Sequence, residues 1–340
     1  MSVDTYTSAH PGQNALMSSF AQTVRQTAPP PTASAPKPVR IALIYPGQQA
    51  SDYWRRSVAS FEARLKAAKQ PYILDKYFTK PTVELRKQAA YLAEALGQNP
   101  DYLVFTLDAQ RHKVIVERLL ARGTPKLILQ NVTTPLKAWS GHHPFLYVGF
   151  DHETGARILA NHFIEKTGGQ GDYAVVCWSR GYISEMRGEA FVKSLKNAPG
   201  LKLKAFFYAG TTQEAGRKAA LEALKEFKNL KFIYTCSTDL ALGVAQGLRE
   251  QQRQGTVMVN GWGGGSAELR AIEKGKLDVT VMRMNDDNGV AMADAILLDQ
   301  SGNAAAVPTV YSGDFALVSK DLSLETIDGF RTWAFRYSGP

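Results

Sequence analysis

The chain is poor in cysteine, has no apolar run long enough to cross a membrane, and shows no typical leader at its start. Its two cysteines, Cys177 and Cys236, are too few for a disulfide framework or a cysteine-rich metal site. The sequence leaves open whether they are buried free thiols or one disulfide. No apolar run approaches the roughly 20 residues of a membrane-spanning helix. Residues 1–38 lack the basic start and apolar core of a secretory signal.

The motifs of common enzymes are missing as well. The 6 histidines form no HExxH or His/Cys metal spacing, and no G-x-S-x-G nucleophile elbow is present. The glycines around Trp262 lack the spacing and the downstream acid of a dinucleotide site. The sequence therefore predicts a protein that is not an enzyme and that has no metal site, no cofactor and no catalytic residues.

The chain has fewer acidic than basic residues. Lys and Arg number 40 against 31 Asp and Glu, which gives a formal charge of +9. The basic residues are spread over many helix patterns, so we expect solvated helix faces, with an acidic protein partner or a membrane surface as the alternative. Residues 1–38 are rich in proline and do not fit a DNA-reading helix-turn-helix, so no nucleic-acid partner is expected.

What the chain does have is a regular alternation of short apolar runs and helix patterns. Strands are predicted at 39–45, 72–78, 102–107, 126–130, 146–150, 173–178, 203–208, 231–236, 256–260, 278–284 and 308–311. Such β-α-β units imply parallel sheets with right-handed crossovers. The pattern restarts after Gly168-Gly169, which predicts an α/β protein of two lobes, each a parallel sheet flanked by helices.

Five segments follow from this division. Residues 1–38 are expected to be an N-terminal extension or linker. Lobe one is predicted to contain 39–150 and 285–307, and lobe two 151–284 and 308–340. The late segments are too short for a third domain, so the chain is expected to return to both lobes through a hinge of several strands.

Polar and aromatic residues follow the predicted strands of both lobes. In open α/β sheets, ligands bind at the carboxyl ends of the strands, so these side chains are expected to converge in a cleft between the lobes. Aromatic faces with amides and hydroxyls around them suit a sugar-like ring, and arginines suit negative charge. The predicted ligand-binding residues are Gln49, Ser51, Trp54, Thr106, Asn131, Arg187, Thr238, Asp239, Trp262 and Arg283.

Several of these residues also have a purely structural interpretation. Thr238 and Asp239 precede a helix pattern and fit a helix cap. Asn131 fits a turn, and Trp54 lies at a spacing that fits a helix core. Arg283 lies in an apolar strand, where an arginine needs a partner, and an ion pair with Asp239 is the structural alternative to a ligand.

Long strings of the sequence resemble the ribose-binding kind of type I periplasmic binding proteins, and among them the autoinducer-2 receptors of Vibrio-type quorum sensing. The strings lie at 46–54 (PGQQASDYW), 260–269 (NGWGGGSAEL), 280–287 (TVMRMNDD), 308–315 (PTVYSGDF) and 334–338 (AFRYS). The resemblance covers the chain from about residue 39 onward, and it implies nothing about the residues before that position.

The resemblance implies a two-lobed fold with a multi-strand hinge and the same ten ligand contacts. It implies that the ligand is autoinducer-2 in its furanosyl borate diester form, so that boron enters with the ligand. It implies a periplasmic location with the signal peptide already removed, and signalling by hinge closure to the periplasmic domain of a membrane-bound hybrid sensor histidine kinase.

Two other functions share part of this pattern. A sugar-binding receptor of an ABC transporter, of the ribose or galactose type, has the same fold and needs no borate. The effector domain of a transcription regulator also has this fold, but it predicts a DNA-binding head that residues 1–38 do not supply.

Overall fold

The computed structural model describes residues 2–32, 36–80, 84–106 and 110–339. Within them the strands form two six-stranded sheets, which are the cores of two lobes. The last residue of the strand predicted at 102–107 lies outside the described residues.

The sheet of lobe one has the strand order β11-β5-β4-β3-β1-β2, and every pairing in it is parallel. Its central strands are apolar runs buried on both faces, as a parallel sheet covered by helices requires. The strands are β1 (Val39–Tyr45), β2 (Tyr72–Phe78), β3 (Tyr102–Phe105), β4 (Lys126–Gln130), β5 (Leu146–Gly149) and β11 (Val310–Ser312).

The sheet of lobe two repeats this arrangement in the order β12-β10-β9-β8-β6-β7. Only the pairing of β12 with β10 is antiparallel among the pairings described for this sheet. The strands are β6 (Gln170–Cys177), β7 (Gly200–Tyr208), β8 (Leu230–Thr235), β9 (Met258–Gly263), β10 (Val279–Arg283) and β12 (Phe315–Ser319). The predicted fold class, two mostly parallel sheets flanked by helices, is confirmed.

The helices cover both sheets, and some of them begin or end at a cap that the sequence supplies. At the start of α6, for example, the Asp151 side chain accepts a hydrogen bond from the backbone N–H of Thr154, and Gly168 ends the helix with a left-handed φ of 61°. The helices are α1 (Val3–Ala9), α2 (Pro11–Arg25), α3 (Tyr53–Ala67), α4 (Leu85–Gly97), α5 (Gln110–Arg122), α6 (His152–Thr167), α7 (Ala190–Ser194), α8 (Gln213–Glu226), α9 (Thr238–Glu250), α10 (Ser266–Glu273), α11 (Asp286–Gln300) and α12 (Leu324–Ala334).

The N-terminal segment is part of lobe one, which corrects the prediction of a linker there. Phe20 and Val24 of α2 lie in the same buried cluster as β1 and α11. Tyr6 of α1 lies in the cluster on the other face of the sheet. The sequence did not predict this packing because α2 has only a narrow apolar stripe. The helix alone does not show which surface such a stripe covers.

Among the described residues, the chain crosses between the sheets of the two lobes three times. It passes from β5 to α6, from β10 to α11, and from β11 to β12. The segment 308–340 was predicted in lobe two, but β11 pairs with β5 in the first sheet. The backbone N–H groups of Tyr337 and Ser338 donate to Asp286 on α11, so the C-terminal end also reaches lobe one. A strand of three residues is too short to show which sheet it joins.

No helix in the described part of the chain is long and apolar enough to cross a membrane. The same residues contain no group of three or more His, Cys, Asp or Glu side chains placed to hold a metal ion.

Candidate ligand-binding cleft between the lobes

A small cavity lies where the carboxyl ends of the two sheets face each other. Its volume is about 30 Å³, which holds roughly two water molecules. Pockets for small ligands usually measure about 300–1,000 Å³, so a ring ligand enters only when the lobes or side chains move apart. The cavity is lined by Pro46, Gln49, Ser51, Tyr53, Trp54, Asn131, Trp178, Ile183, Arg187, Ser237, Thr238, Trp262 and Arg283.

Eight of the ten predicted binding residues line this cavity: Gln49, Ser51, Trp54, Asn131, Arg187, Thr238, Trp262 and Arg283. Thr106 and Asp239 do not line it. Thr106 is buried directly after β3. Asp239 instead accepts a hydrogen bond from the backbone N–H of Ala50, 3.2 Å away in the other lobe.

The lobe-one wall is the turn between β1 and α3. The Gln49 amide donates to the carbonyl of Pro46, at 2.9 Å, which folds the turn back on itself. Trp54 lies in the core of lobe one, with its ring 4.7 Å from that of Tyr45. Trp54 also lines the cavity, so it is both a core residue and a wall residue.

Asn131 closes a turn after β4. Its φ is 64°, in the left-handed region that asparagine tolerates better than most residues, and its N–H donates to the carbonyl of Val148 at 2.7 Å. Its side-chain Oδ1 is buried and has no hydrogen-bond partner among the described residues. The turn therefore leaves a free acceptor at the cavity wall.

The lobe-two wall is built around Trp262, near the end of β9. The strand was predicted to end at residue 260 but extends to Gly263, so Trp262 is a strand residue and its indole projects from one face of the sheet. The indole N–H donates to the hydroxyl of Tyr234 at 3.0 Å. Gly155 makes room for the ring, since a Cβ there would lie 2.8 Å from it.

A buried carboxylate fixes the end of β9. Glu268 accepts hydrogen bonds from the backbone N–H groups of Trp262 and Gly264, at 2.9 and 2.8 Å, and from the hydroxyl of Thr280 at 2.6 Å. Because it accepts hydrogen bonds from these three donors, the carboxylate of Glu268 holds the Trp262 backbone in place.

Two arginines lie beside the Trp262 ring. The guanidinium carbon lies 3.9 Å from the ring centroid for Arg187 and 5.1 Å for Arg283. Arg283 also lies 4.4 Å from the ring centroid of Tyr53, which belongs to lobe one. Each arginine is only 4 % exposed. Cation–π contacts with these two aromatic rings thus hold two positive charges at the cavity.

Neither guanidinium has an acidic partner in the described part of the chain, where no carboxylate oxygen lies within 4.0 Å of either. The Nε atoms of Arg187 and Arg283 are buried without a hydrogen-bond partner there. The alternative ion pair between Arg283 and Asp239 is therefore not formed. The carboxylates of Glu268 and Asp52 act on Arg283 only at longer range.

The electrostatics at this wall are strongly positive. Burial, and next the charge of Arg283, lowers the pKa of the Arg187 guanidinium well below its ordinary value, although arginine remains protonated in proteins. Burial, followed by the charges of Arg187 and Arg283, also lowers the pKa of His152 well below its usual range. His152 is therefore neutral, and two uncompensated charges face the cavity. Such a site favours an anion or a ring rich in oxygen acceptors.

Contacts across the cleft show the lobes closed against each other. The hydroxyls of Thr134 and Tyr182 lie 2.8 Å apart, and the Asp52 carboxylate accepts from the Ser266 hydroxyl at 2.8 Å. Burial alone would raise the pKa of Asp52, but hydrogen bonds from Arg56 and Ser266 lower it overall. Asp52 is thus an ionised link between α3 and α10.

The expectation that binding residues follow the carboxyl ends of the strands missed five of the residues that line the cavity. Trp178 and Ser237 each come directly after a cysteine at the end of a strand, so the same carboxyl-end argument would have found them. Pro46 and Tyr53 lie close in the chain to the predicted residues Gln49, Ser51 and Trp54, and only the packing of α3 decides which of these side chains face the cavity. Ile183 has no local signal, because the π-helical turn that follows it is not predictable from spacing.

The two cysteines, left open by the sequence, form a disulfide. Cys177 is the last residue of β6 and Cys236 follows β8, and these strands are neighbours in the sheet. Their Cα atoms lie 5.0 Å apart.

Two lobes with parallel sheets and a polar, aromatic cleft at the hinge define a two-lobed solute-binding protein. The chain belongs to the periplasmic binding protein domain family, which it matches over residues 41–302. This family consists of binding proteins, so the prediction that the chain is not an enzyme is confirmed.

A curated relative is the D-allose-binding periplasmic protein of Escherichia coli (strain K12). The two are 27 % identical over 165 residues, which is 48 % of this chain and 53 % of the relative. The match thus spans about half the length of that relative.

Solved structures show the same fold. An ABC transporter periplasmic solute binding protein from Actinobacillus succinogenes 130z, with bound D-allose, has a TM-score of 0.73 and 20 % identity, covering 86 % of this chain and 100 % of that one. An ABC transporter solute binding protein from Agrobacterium vitis, with bound D-fucose, has a TM-score of 0.74 and 16 % identity, covering 85 % and 98 %. At these identities the likeness concerns the fold alone.

Proposed function

We propose that this protein is a receptor that closes its two lobes over a small polyhydroxylated ring carrying negative charge. The observation that supports this most strongly is the pair of buried guanidiniums beside Trp262, which have no acidic partner among the described residues. A charged ring with several oxygen acceptors supplies the hydrogen bonds and the counter-charge that Arg187 and Arg283 lack.

Autoinducer-2 as its furanosyl borate diester is the ligand that we propose, which makes the protein an autoinducer-2 receptor of the LuxP type. A tetrahedral borate diester is an anion with several oxygen acceptors, and the two arginines neutralise it from the lobe-two side. Gln49 and Ser51 contribute neutral hydrogen bonds from lobe one. Asp239 is oriented toward Ala50 rather than toward the cavity, so in the closed form it does not repel the borate.

We further propose that the receptor works in the periplasm and that its output is the closed shape itself. A ligand that contacts both lobes favours the closed state, and a membrane-bound hybrid sensor histidine kinase reads that state through its periplasmic domain. A disulfide between Cys177 and Cys236 fits an oxidising compartment.

The second candidate is a sugar receptor that delivers its ligand to an ABC transporter. The relatives described above favour this candidate over the first, because one is a D-allose-binding protein and the two solved structures hold bound D-allose and D-fucose. In this case the aromatic faces of Trp54 and Trp262 stack on a neutral sugar, and the arginines donate to its hydroxyls. The two candidates differ in whether the ligand carries boron.

The ligand that co-purifies with the protein distinguishes the two. We expect mass spectrometry and boron-11 NMR of ligand released by denaturation to show a boron-containing furanosyl diester. Titration calorimetry in boron-depleted buffer, repeated after adding borate, is the matched binding measurement, with D-ribose and D-allose as sugar probes. Binding of a boron-free pentose or hexose with equal affinity in both buffers would replace the receptor proposal with the transport candidate.

Hinge closure is tested by shape in solution. We expect the radius of gyration from small-angle scattering to decrease when the ligand is added, because the contacts between Thr134 and Tyr182 and between Asp52 and Ser266 form on closure. At a ligand concentration near the wild-type Kd, an Arg283→Ala variant, whose affinity is expected to be at least about tenfold lower, should show a much smaller change in radius. A wild-type radius that does not respond to a saturating ligand contradicts the mechanism.

A further inference from the structure

The disulfide lies directly beneath the lobe-two wall of the cleft. Cys177 and Cys236 are fully buried at the carboxyl ends of the neighbouring strands β6 and β8. The carboxyl ends of these strands are where the ligand-facing residues of lobe two begin. The bond therefore joins the two backbone segments that carry this part of the site.

Arg187 is held by one of these segments. Its Nη1 donates to the backbone carbonyl of Cys236 at 2.8 Å, while its Nε has no hydrogen-bond partner among the described residues. Its own carbonyl accepts from the Tyr234 hydroxyl at 3.0 Å. The position of this guanidinium thus depends on where the Cys236 backbone lies.

The π-helical turn Ser184–Glu189, which carries Arg187, rests on the sulfur atoms themselves. A Cβ on Gly188 would lie 2.6 Å from the Sγ of Cys177 and 3.4 Å from the Sγ of Cys236. Only a glycine lets this turn approach the disulfide so closely. The sulfur pair, together with the Phe206 ring 2.8 Å from the same Cβ position, consequently sets the height of the turn above the sheet.

The residues that follow the cysteines are linked as well. The indole N–H of Trp178 donates to the hydroxyl of Ser237 at 2.8 Å, and both side chains line the cavity. The disulfide and this hydrogen bond join the same two strand ends in consecutive positions. Three cavity residues of lobe two, Arg187, Trp178 and Ser237, are therefore held next to one covalent link.

We propose that the Cys177–Cys236 disulfide is a positioning element of the binding site, which sets the place of the Arg187 guanidinium against Trp262. This inference rests on the proposed ligand site. The alternative is that the bond only stabilises the fold by closing a loop of 59 residues in the unfolded chain. The two roles differ in whether its loss changes affinity through Arg187 or changes only the free energy of unfolding.

The test is a double-mutant cycle between the disulfide and Arg187. In titration calorimetry with borated autoinducer-2, or with D-allose if that is the probe that binds, C177A/C236A should weaken binding about tenfold, part of the strength of a charged hydrogen bond. In an Arg187→Met background the same double substitution should change affinity less than twofold. Equal weakening in both backgrounds, or none in either, overturns the proposal.

A second variant keeps the disulfide and moves the turn. Gly188→Ala places a methyl group against the sulfur atoms and the Phe206 ring, and we expect it to weaken binding about tenfold as well. The exposed Gly329→Ala substitution on α12, where a Cβ meets nothing within 4 Å, is the control and should bind normally. Gly188→Ala with wild-type affinity would show that the contact with the sulfurs does not position Arg187.

A readout without ligand separates this inference from the proposed function. Hydrogen exchange in the segment 182–190 should be about tenfold faster in C177A/C236A than in the wild type, whereas exchange in α3 should not change. Unchanged exchange at 182–190 overturns the positioning role whether or not any probe binds. Faster exchange without binding of either probe contradicts the ligand proposal alone.

Discussion

Substituting Arg283 with alanine is expected to weaken ligand binding by about 1.5–3 kcal/mol or more, the range for hydrogen bonds to charged groups. The guanidinium lies at the cavity, 4.4 Å from the Tyr53 ring of one lobe and 5.1 Å from the Trp262 ring of the other. Its loss removes charge, hydrogen-bond donors and a contact between the lobes. Titration calorimetry with borated autoinducer-2 and with D-allose measures the effect.

The matched control is Arg270→Ala, which removes an exposed arginine from α10 in the same lobe. It should bind as the wild type does, which shows that the effect does not come from net charge. Affinity of Arg283→Ala within error of the wild type would remove Arg283 from the binding site.

The same position should show the opposite effect on stability. In the closed structure Arg283 is buried, with no carboxylate oxygen within 4.0 Å among the described residues, so lobes that close without ligand bear the desolvation of an uncompensated charge. Arg283→Met keeps the length of the side chain and removes the charge. We expect it to raise the free energy of unfolding of the unliganded protein by about 0.5–2 kcal/mol, as substitutions at functional sites often do. Urea denaturation measures this, and a decrease would contradict it.

Substituting Arg64 with methionine should lower the free energy of unfolding by about 3–5 kcal/mol, the cost of leaving a buried charge without its partner. Arg64 and Asp294 are both fully buried, with two hydrogen bonds of 2.7 and 2.9 Å between them. Arg64 Nη1 also donates to the carbonyls of Gln26 and Thr27, at the end of α2. The residue thus joins α3, α11 and the N-terminal helices.

Two variants make this measurement specific. Removing both charges with Arg64→Met and Asp294→Leu should recover part of the loss, because no unpaired carboxylate remains. Lys166→Ala breaks an exposed ion pair with Asp321 and should cost less than about 1 kcal/mol. A loss no larger for Arg64→Met than for Lys166→Ala would show that the buried pair does not hold the N-terminal helices to lobe one.

Arg283 and Arg64 are the same residue type at nearly the same burial, and we expect opposite effects on stability. The difference lies in the partner, since Asp294 is supplied by the fold and the partner of Arg283 is left to the ligand. The sequence identified Arg283 from its place in an apolar strand, but Arg64 lies in a helix pattern with other charges and gave no such signal. A buried arginine that has no carboxylate partner therefore indicates the ligand site, whereas the burial of an arginine by itself does not.

Most strands were predictable because a buried parallel strand is a short apolar run. The predicted strands at 39–45, 72–78 and 126–130 coincide with β1, β2 and β4. The strand predicted at 308–311 is present as Val310–Ser312, but its place in the first sheet and the packing of the N-terminal helices were not predictable, since both depend on a surface formed by distant segments. The position of Trp262 inside β9 likewise depends on Glu268, which fixes the strand end.

The sequence by itself determined the two-lobed α/β class and eight of the residues that line the cavity, because the carboxyl ends of parallel strands meet at one edge of a sheet. Only the tertiary structure decided which of those side chains have partners. It turned Asp239 toward Ala50, left Arg187 and Arg283 without a carboxylate among the described residues, and joined Cys177 to Cys236. These outcomes depend on distances between strands far apart in the chain, and local patterns carry no information about such distances.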